Sequence, residues 1–322
     1  MIRNYVAIPT TKRNPNFNVA EWGTTLREAM KGLGTDEDKI IEVLTSCSGS
    51  QRQELVQFFA QELGRNLEDD LRSELGGKFE SLIVGLITPP AQYLARQLNK
   101  AMDGLGTNSN VLIEVISTRT NEEMKDVVEA YESMYNRPLA EHLCSETSGD
   151  FRKFLTLIVT GVRNPPGNID ESSAQALAEE LYNAGEGTAG TKEEVFNRIL
   201  SHESYDQLAL IFEKYKSVSG HTIEQALNSE VSGDLKEAML AVVECVQSPP
   251  EYFAKQLKKA VEGAGTDDSS LIRIIVSRCD IDLENIKQEY ERIYDITLES
   301  SIKSEIEGDY KTAILTLIGA EP

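Results

Sequence analysis

One unit is written four times along this chain, and a self-similar sequence of that length leaves few folds open. Aligned on Gly34, Gly106, Gly190 and Gly265, the segments GTDEDKIIEVL, GTNSNVLIEVI, GTKEEVFNRIL and GTDDSSLIRII stack without a gap. The register persists far downstream. An aromatic residue recurs at Phe59, Tyr131, Tyr215 and Tyr290, an aliphatic one at Leu67, Leu139, Ile223 and Leu298, and a glycine at Gly77, Gly149, Gly233 and Gly308. Length varies only in the connections, the longest of which carries RNPPGNIDESS at 163–173. That Pro/Gly/Ser stretch reads as a linker between two halves.

Within each copy the apolar spacing is helical. Ile40, Val43 and Leu44 have counterparts at Leu112, Val115 and Ile116, at Phe196, Ile199 and Leu200, and at Leu271, Ile274 and Ile275. This is the i, i+3, i+4 stripe of a buried helix face. The threonine after the glycine (Thr35, Thr107, Thr191, Thr266) is expected to cap the helix that follows, with acids such as Asp36 and Glu37 at the positive end of its dipole. Later stretches such as SQRQELVQFFAQEL and NEEMKDVVEAYESMY repeat the pattern. The class is all-α, with about five short helices per copy and no strand.

Composition narrows the function. A net charge of −21 over 322 residues repels nucleic-acid phosphates, and repels an anionic membrane unless something positive intervenes. The longest apolar runs, such as FLTLIV at 154–159, are far below the ~20 residues that span a bilayer. Four scattered cysteines without a CxxC pair, no N-x-[ST] sequon and a start without a signal-peptide core point to a reduced, cytoplasmic setting.

The glycine loops MKGLGTDE (30–37), MDGLGTNS (102–109), VEGAGTDD (261–268) and the divergent AGEGTAGT (184–191) are the candidate chemistry. Neither a P-loop nor a dinucleotide loop is written there, because no lysine follows the glycines and no strand precedes them. Calcium fits better. It takes six to eight oxygen ligands, glycine lets carbonyls turn outward, and a carboxylate must come from elsewhere in the copy. Forty residues after the aligned glycine stand Glu74, Glu146, Glu230 and Glu305, acidic every time. Duplicated copies inherit residues whether or not they matter, so spacing alone leaves a calcium site and a structural turn both open. No EF-hand loop is present. His142, His202 and His221 are isolated, and no nucleophile elbow or HExxH motif occurs, so the chain does not read as an enzyme.

These motifs, with SELGGKFE, SETSGDF, VSGDL, EGDYKTA and LIRIIVSR, resemble the annexin family over about residues 16–320, short-tailed insect members above all. The resemblance implies a tail (1–15), repeats at 16–88 and 89–162, a linker (163–173), and repeats at 174–248 and 249–322. It implies a slightly curved disc with calcium loops on the convex face. In the family each principal site takes loop carbonyls and a bidentate carboxylate about 40 residues later. Carried over by position, the sites are Met30, Gly32, Gly34 and Glu74; Met102, Gly104, Gly106 and Glu146; and Val261, Gly263, Gly265 and Glu305. The third repeat departs, with Thr188 in place of a glycine, and its set is Gly185, Thr188, Gly190 and Glu230. The fourth also departs, with EIEGD where the second has ETSGD.

Calcium in such loops would bridge this acidic protein to anionic, phosphatidylserine-type phospholipid, giving peripheral membrane association when calcium rises and admitting self-association on the membrane. Leu33 and Leu105 at the loop tips either dip into the head-group region or are merely isolated exposed leucines, while Ala189 and Ala264 would add little. A calcium-independent helical scaffold for protein partners is the rival reading, in which the loops are plain turns. Gln97 stands where the family carries an acid ahead of the second loop, which weakens any ion-conducting role.

Overall fold

The computed structural model describes residues 5–32, 34–187, 190–263 and 265–320. Among these there are twenty helices and no strand, five helices to each copy of the repeat. The first repeat comprises α1 (Val19–Ala29), α2 (Glu37–Thr45), α3 (Gly49–Gln61), α4 (Leu67–Glu74) and α5 (Gly77–Ile87). The second comprises α6 (Pro90–Met102), α7 (Ser109–Ser117), α8 (Asn121–Tyr135), α9 (Leu139–Glu146) and α10 (Gly149–Val159). The third comprises α11 (Glu171–Ala184), α12 (Glu193–His202), α13 (Tyr205–Ser219), α14 (Ile223–Glu230) and α15 (Gly233–Gln247). The fourth comprises α16 (Pro249–Val261), α17 (Asp268–Arg278), α18 (Leu283–Tyr294), α19 (Leu298–Glu305) and α20 (Gly308–Leu317).

The apolar stripe is the core. Ile40, Leu112, Phe196 and Leu271 and the aromatics Phe59, Tyr131, Tyr215 and Tyr290 are all completely buried. The recurring glycine at 77, 149, 233 and 308 has φ between +61 and +68°, the left-handed turn by which the chain enters the fifth helix of each repeat. An L residue is strained there, which explains why the position is glycine four times.

Packing pairs the repeats differently from the linker. One compact unit contains Leu94–Tyr252, and so holds the second and third repeats on both sides of the Pro/Gly stretch. The other contains Val6–Tyr93 with Phe253–Pro322, joining the first repeat to the fourth. Sequence continuity alone does not reveal this. Within each unit the second helix of one repeat packs on the fifth helix of the other: α7 on α15 and α12 on α10, then α2 on α20 and α17 on α5. Polar contacts fix the pairing. Ser109 Oγ donates to Asp234 Oδ2 at 2.6 Å, Asn197 Nδ2 to the Asp150 carbonyl at 3.3 Å, and Lys78 Nζ lies 2.5 Å from Asp268 Oδ2.

The same clasp holds the segments that precede the first and third repeats. Gln51 accepts from Asn14 N and donates to Asn14 O, both at 2.9 Å, and Gln207 treats Asp170 identically at 2.9 Å. The linker is also shorter than its composition indicates. Asp170 accepts from Ser172 N and Ser173 N, so Glu171–Ser173 form the first turn of α11 rather than the end of a loop. The tail is stapled down as well. Thr10 N and Thr11 N donate to the Cys279 carbonyl at 3.0 and 3.1 Å, and Thr11 Oγ1 to Asp280 Oδ1 at 2.6 Å. Asp280 also receives Arg52 Nη1 at 3.0 Å and Gly49 N at 2.9 Å. The four cysteines are free thiols, and no helix among the described residues is long and apolar enough to cross a membrane.

Candidate calcium loops

Each glycine loop joins the first helix of a repeat to the second. Met30 caps α1 with its side chain buried, and Met102 and Val261 end α6 and α16 the same way, so these side chains anchor the loop base in the core. The loop then turns through two glycines with φ far into the positive region: Gly32 (109°) and Gly34 (92°), Gly104 (125°) and Gly106 (92°), Gly263 (136°) and Gly265 (116°). A Cβ at any of the six would meet nothing within 4 Å, so the glycines serve backbone conformation and not tight packing. A hydrogen bond closes each loop: Asp36 N to Ala29 O at 2.9 Å, Asn108 N to Ala101 O at 2.8 Å and Asp267 N to Ala260 O at 2.8 Å.

The loop threonine does not cap the helix that follows. Asp36, Asn108 and Asp267, one residue on, are the N-caps of α2, α7 and α17, and their side chains accept from Lys39 N, Val111 N and Ser270 N. The threonine hydroxyl turns instead to the carboxylate at the end of the repeat's fourth helix. Thr35 Oγ1 donates to Glu74 Oε2 at 2.9 Å, Thr107 Oγ1 lies 3.3 Å from Glu146 Oε2, and Thr191 Oγ1 lies 2.7 Å from Glu230 Oε2. In the second and third repeats the same hydroxyl also approaches the glutamate's own carbonyl, at 3.1 and 3.0 Å. The 40-residue spacing is thereby a spatial contact in three repeats. The fourth breaks the rule: Thr266 Oγ1 is buried with no hydrogen-bond partner, and Glu305 stands exposed.

The third loop differs in length. Lys192 N bonds Ala184 O at 2.8 Å, one residue more than the other loops span, so Gly185 follows the helix end as Met30 does and Glu186 is additional. Gly190 keeps the positive φ of its counterparts, at 91°. A Cβ on Gly185 would sit 3.3 Å from Glu230 Cγ, which places that backbone against the stem of the Glu230 side chain. Thr188 lies outside the described residues, as do the tip residues Leu33, Ala189 and Ala264. Leu105, the described tip, is fully exposed.

Among the described residues no three His, Cys, Asp or Glu side chains gather into a metal-holding group. An ion at these loops would rely on backbone oxygens and one carboxylate. That donor set fits a hard cation such as calcium and not a thiolate- or imidazole-seeking metal. The Met30 carbonyl already accepts a long contact from Arg27 Nη1 at 3.4 Å. The three histidines are engaged in local bonds: His142 with Tyr131 Oη at 2.5 Å, His202 with the Arg198 carbonyl at 2.9 Å and His221 with Glu186 at 2.7 Å. Burial lowers the His142 pKa, and burial pushes the Tyr131 hydroxyl up to about 12. Sequence reading missed the threonine–glutamate contact and the Glu186 partners, because both depend on pairs far apart in the chain.

Four helical repeats of this design, three of them with a glycine loop tied to a distant carboxylate, define a class. The annexin family model matches residues 23–86, 93–158, 176–242 and 252–317, and the chain belongs to the annexin family, whose members are calcium-dependent phospholipid-binding proteins. It is 55% identical to annexin B10 of Drosophila melanogaster over 318 residues, covering 98% of this chain and 99% of the relative. Among solved structures, annexin III superposes with a TM-score of 0.96 at 40% identity, covering 98% of each chain. A calcium-bound annexin (Sm)1 superposes with a TM-score of 0.88 at 31% identity, covering 98% of this chain and 94% of that one.

Proposed function

We propose that this chain binds anionic phospholipid membranes in a calcium-dependent way, through its glycine loops and the glutamates that close on them. The ligand sets are Met30, Gly32, Gly34 and Glu74; Met102, Gly104, Gly106 and Glu146; Gly185, Thr188 (outside the described residues), Gly190 and Glu230; and Val261, Gly263, Gly265 and Glu305. The observation that carries this reading is the threonine bridge, which ties each of the first three loops to a single distant carboxylate. Bound calcium supplies positive charge and free coordination positions for lipid oxygens. The chain supplies the rest. Glycines free the loop backbone, the carboxylate provides the one anionic donor, and the threonine holds that carboxylate beside the loop.

This resolves the charge conflict, since a protein of charge −21 meets an acidic bilayer only through cations on the contact face. Several weak sites engaging one surface add by avidity. The exposed Leu105 reaches past the polar loop toward the head groups. In this reading the protein is cytoplasmic, not an enzyme, and attaches to phosphatidylserine-type membranes as calcium rises.

The test is sedimentation with phosphatidylserine vesicles. The protein is expected to pellet at millimolar calcium, to release on chelation and to ignore neutral phosphatidylcholine vesicles. Leu105→Ser is expected to weaken pelleting severalfold while calcium binding to the free protein is unchanged. Absence from the pellet at millimolar calcium refutes the proposal, and binding that survives chelation favours a calcium-independent scaffold.

A further inference from the structure

The third loop is held from beneath by a side chain that the other loops lack. Its additional residue, Glu186, turns inward, with only 18% of the side chain exposed. Glu186 Oε2 accepts from Tyr215 Oη at 2.6 Å, and Glu186 Oε1 lies 2.7 Å from His221 Nδ1. Tyr215 is completely buried on α13, and His221 sits in the turn between α13 and α14. That turn is itself fixed, since Ser219 Oγ donates to the Tyr215 carbonyl at 2.9 Å and accepts from His221 N at 3.0 Å. On the other side of Glu186, Gly185 backs onto Glu230, and Gly187 N donates to the Tyr182 carbonyl at 2.8 Å. The equivalent ring positions do otherwise. Tyr131 binds Asn99 of α6 and His142, Tyr290 binds Ser301 Oγ at 3.0 Å, and Phe59 has no hydroxyl.

We infer that Glu186 is a positioning residue for the third cation site: clamped by Tyr215 and His221, it holds the Gly185 backbone against the Glu230 side chain. The inference rests on the ligand assignment proposed above. A loop with an extra residue has more backbone freedom to lose when an ion orders it. Bonds already made in the free protein remove part of that loss, which is preorganisation. Burial, and then Glu186, raise the Tyr215 pKa, so the phenol stays protonated and keeps donating. Glu186 acts through geometry and not as a ligand, so an uncharged side chain of the same shape should serve. Glutamine qualifies. Its oxygen accepts from Tyr215, and its amide donates to His221 Nδ1 when the imidazole proton sits on Nε2.

The experiment is calorimetric titration with calcium chloride alone, in a Glu74→Gln/Glu146→Gln/Glu305→Gln background that leaves the third site to report. Glu186→Ala is expected to weaken that site about tenfold, and Tyr215→Phe and His221→Ala severalfold each, while Glu186→Gln stays within about twofold of the background. Tyr215→Phe keeps the buried ring, so its effect does not depend on a variant that fails to fold. The inference is overturned if Glu186→Ala binds as tightly as the background, or if Glu186→Gln is as weak as Glu186→Ala. Adding Glu230→Gln separates the two levels. If Glu230→Gln leaves the isotherm unchanged, the ligand assignment itself fails. If it abolishes binding while Glu186→Ala does nothing, only the anchor fails.

Discussion

Glu74→Gln combined with Glu146→Gln is expected to raise the calcium concentration for half-maximal binding to phosphatidylserine vesicles by about tenfold or more. The reason lies in the donor set. Each loop offers neutral backbone oxygens, and the glutamate is the only anionic group held against it by the loop threonine. Removing that charge weakens attraction for a divalent ion, and under the proposed reading two weakened contacts compound by avidity. Glutamine still accepts from Thr35 and Thr107 through its amide oxygen, so the loops keep their shape and the effect is not one of folding. Vesicle sedimentation against free calcium measures the shift. A midpoint that moves less than twofold, with the thermal midpoint unchanged, would sink the ligand assignment. The fourth site offers a comparison. The Thr266 hydroxyl is unpartnered and does not hold Glu305 beside the loop as Thr35 holds Glu74, so Glu305→Gln is expected to matter less.

Asp282→Ala is expected to destabilise the protein by about 3–5 kcal/mol, the usual cost of stranding one partner of a buried ion pair. Arg278 and Asp282 are both essentially unexposed, and they meet in a two-pronged contact, Nε to Oδ1 at 2.7 Å and Nη2 to Oδ2 at 2.5 Å. The guanidinium also lies 4.6 Å from the centre of the Phe253 ring. Without Asp282 that buried cation loses its two-pronged charge-assisted contact. Urea unfolding followed by circular dichroism reads the change. Replacing both partners by apolar residues of similar volume is expected to restore most of the loss, because the pair's desolvation cost disappears with it. The exposed Lys39–Glu42 pair, at 2.6 Å, is the control, and removing it should leave stability nearly unchanged. An Asp282→Ala effect no larger than that of the exposed pair would refute the argument.

The fold was largely legible in advance. Helical spacing, glycine punctuation and strict register are local properties, and each maps directly onto a helix end or a buried stripe. Ile40 and its counterparts are buried where the spacing required, and the recurring glycine after the fourth helix adopts a backbone angle that only glycine takes freely. The candidate site was half legible. The loop and the glutamate 40 residues later are visible as a repeated pair, but the pattern has no term for which side chain bridges them. A threonine before an acidic helix start reads as a cap. In the first two repeats it is the next residue that caps, and the hydroxyl makes the stronger, charge-assisted bond to the nearby carboxylate.

The amino-acid sequence by itself determined the four copies, their five helices, the glycine loops and the acid that recurs behind them, since each is set by residues within one turn or one repeat. Tertiary structure alone decided the rest: that the second repeat packs with the third and the first with the fourth, that Asp280 gathers Arg52 and the tail, and that Glu186 finds Tyr215 and His221. The physical reason is common to all three. Periodicity sets the direction in which a side chain leaves its own helix. What it meets there depends on how distant helices, related only by the shape of their buried faces, come to rest against one another.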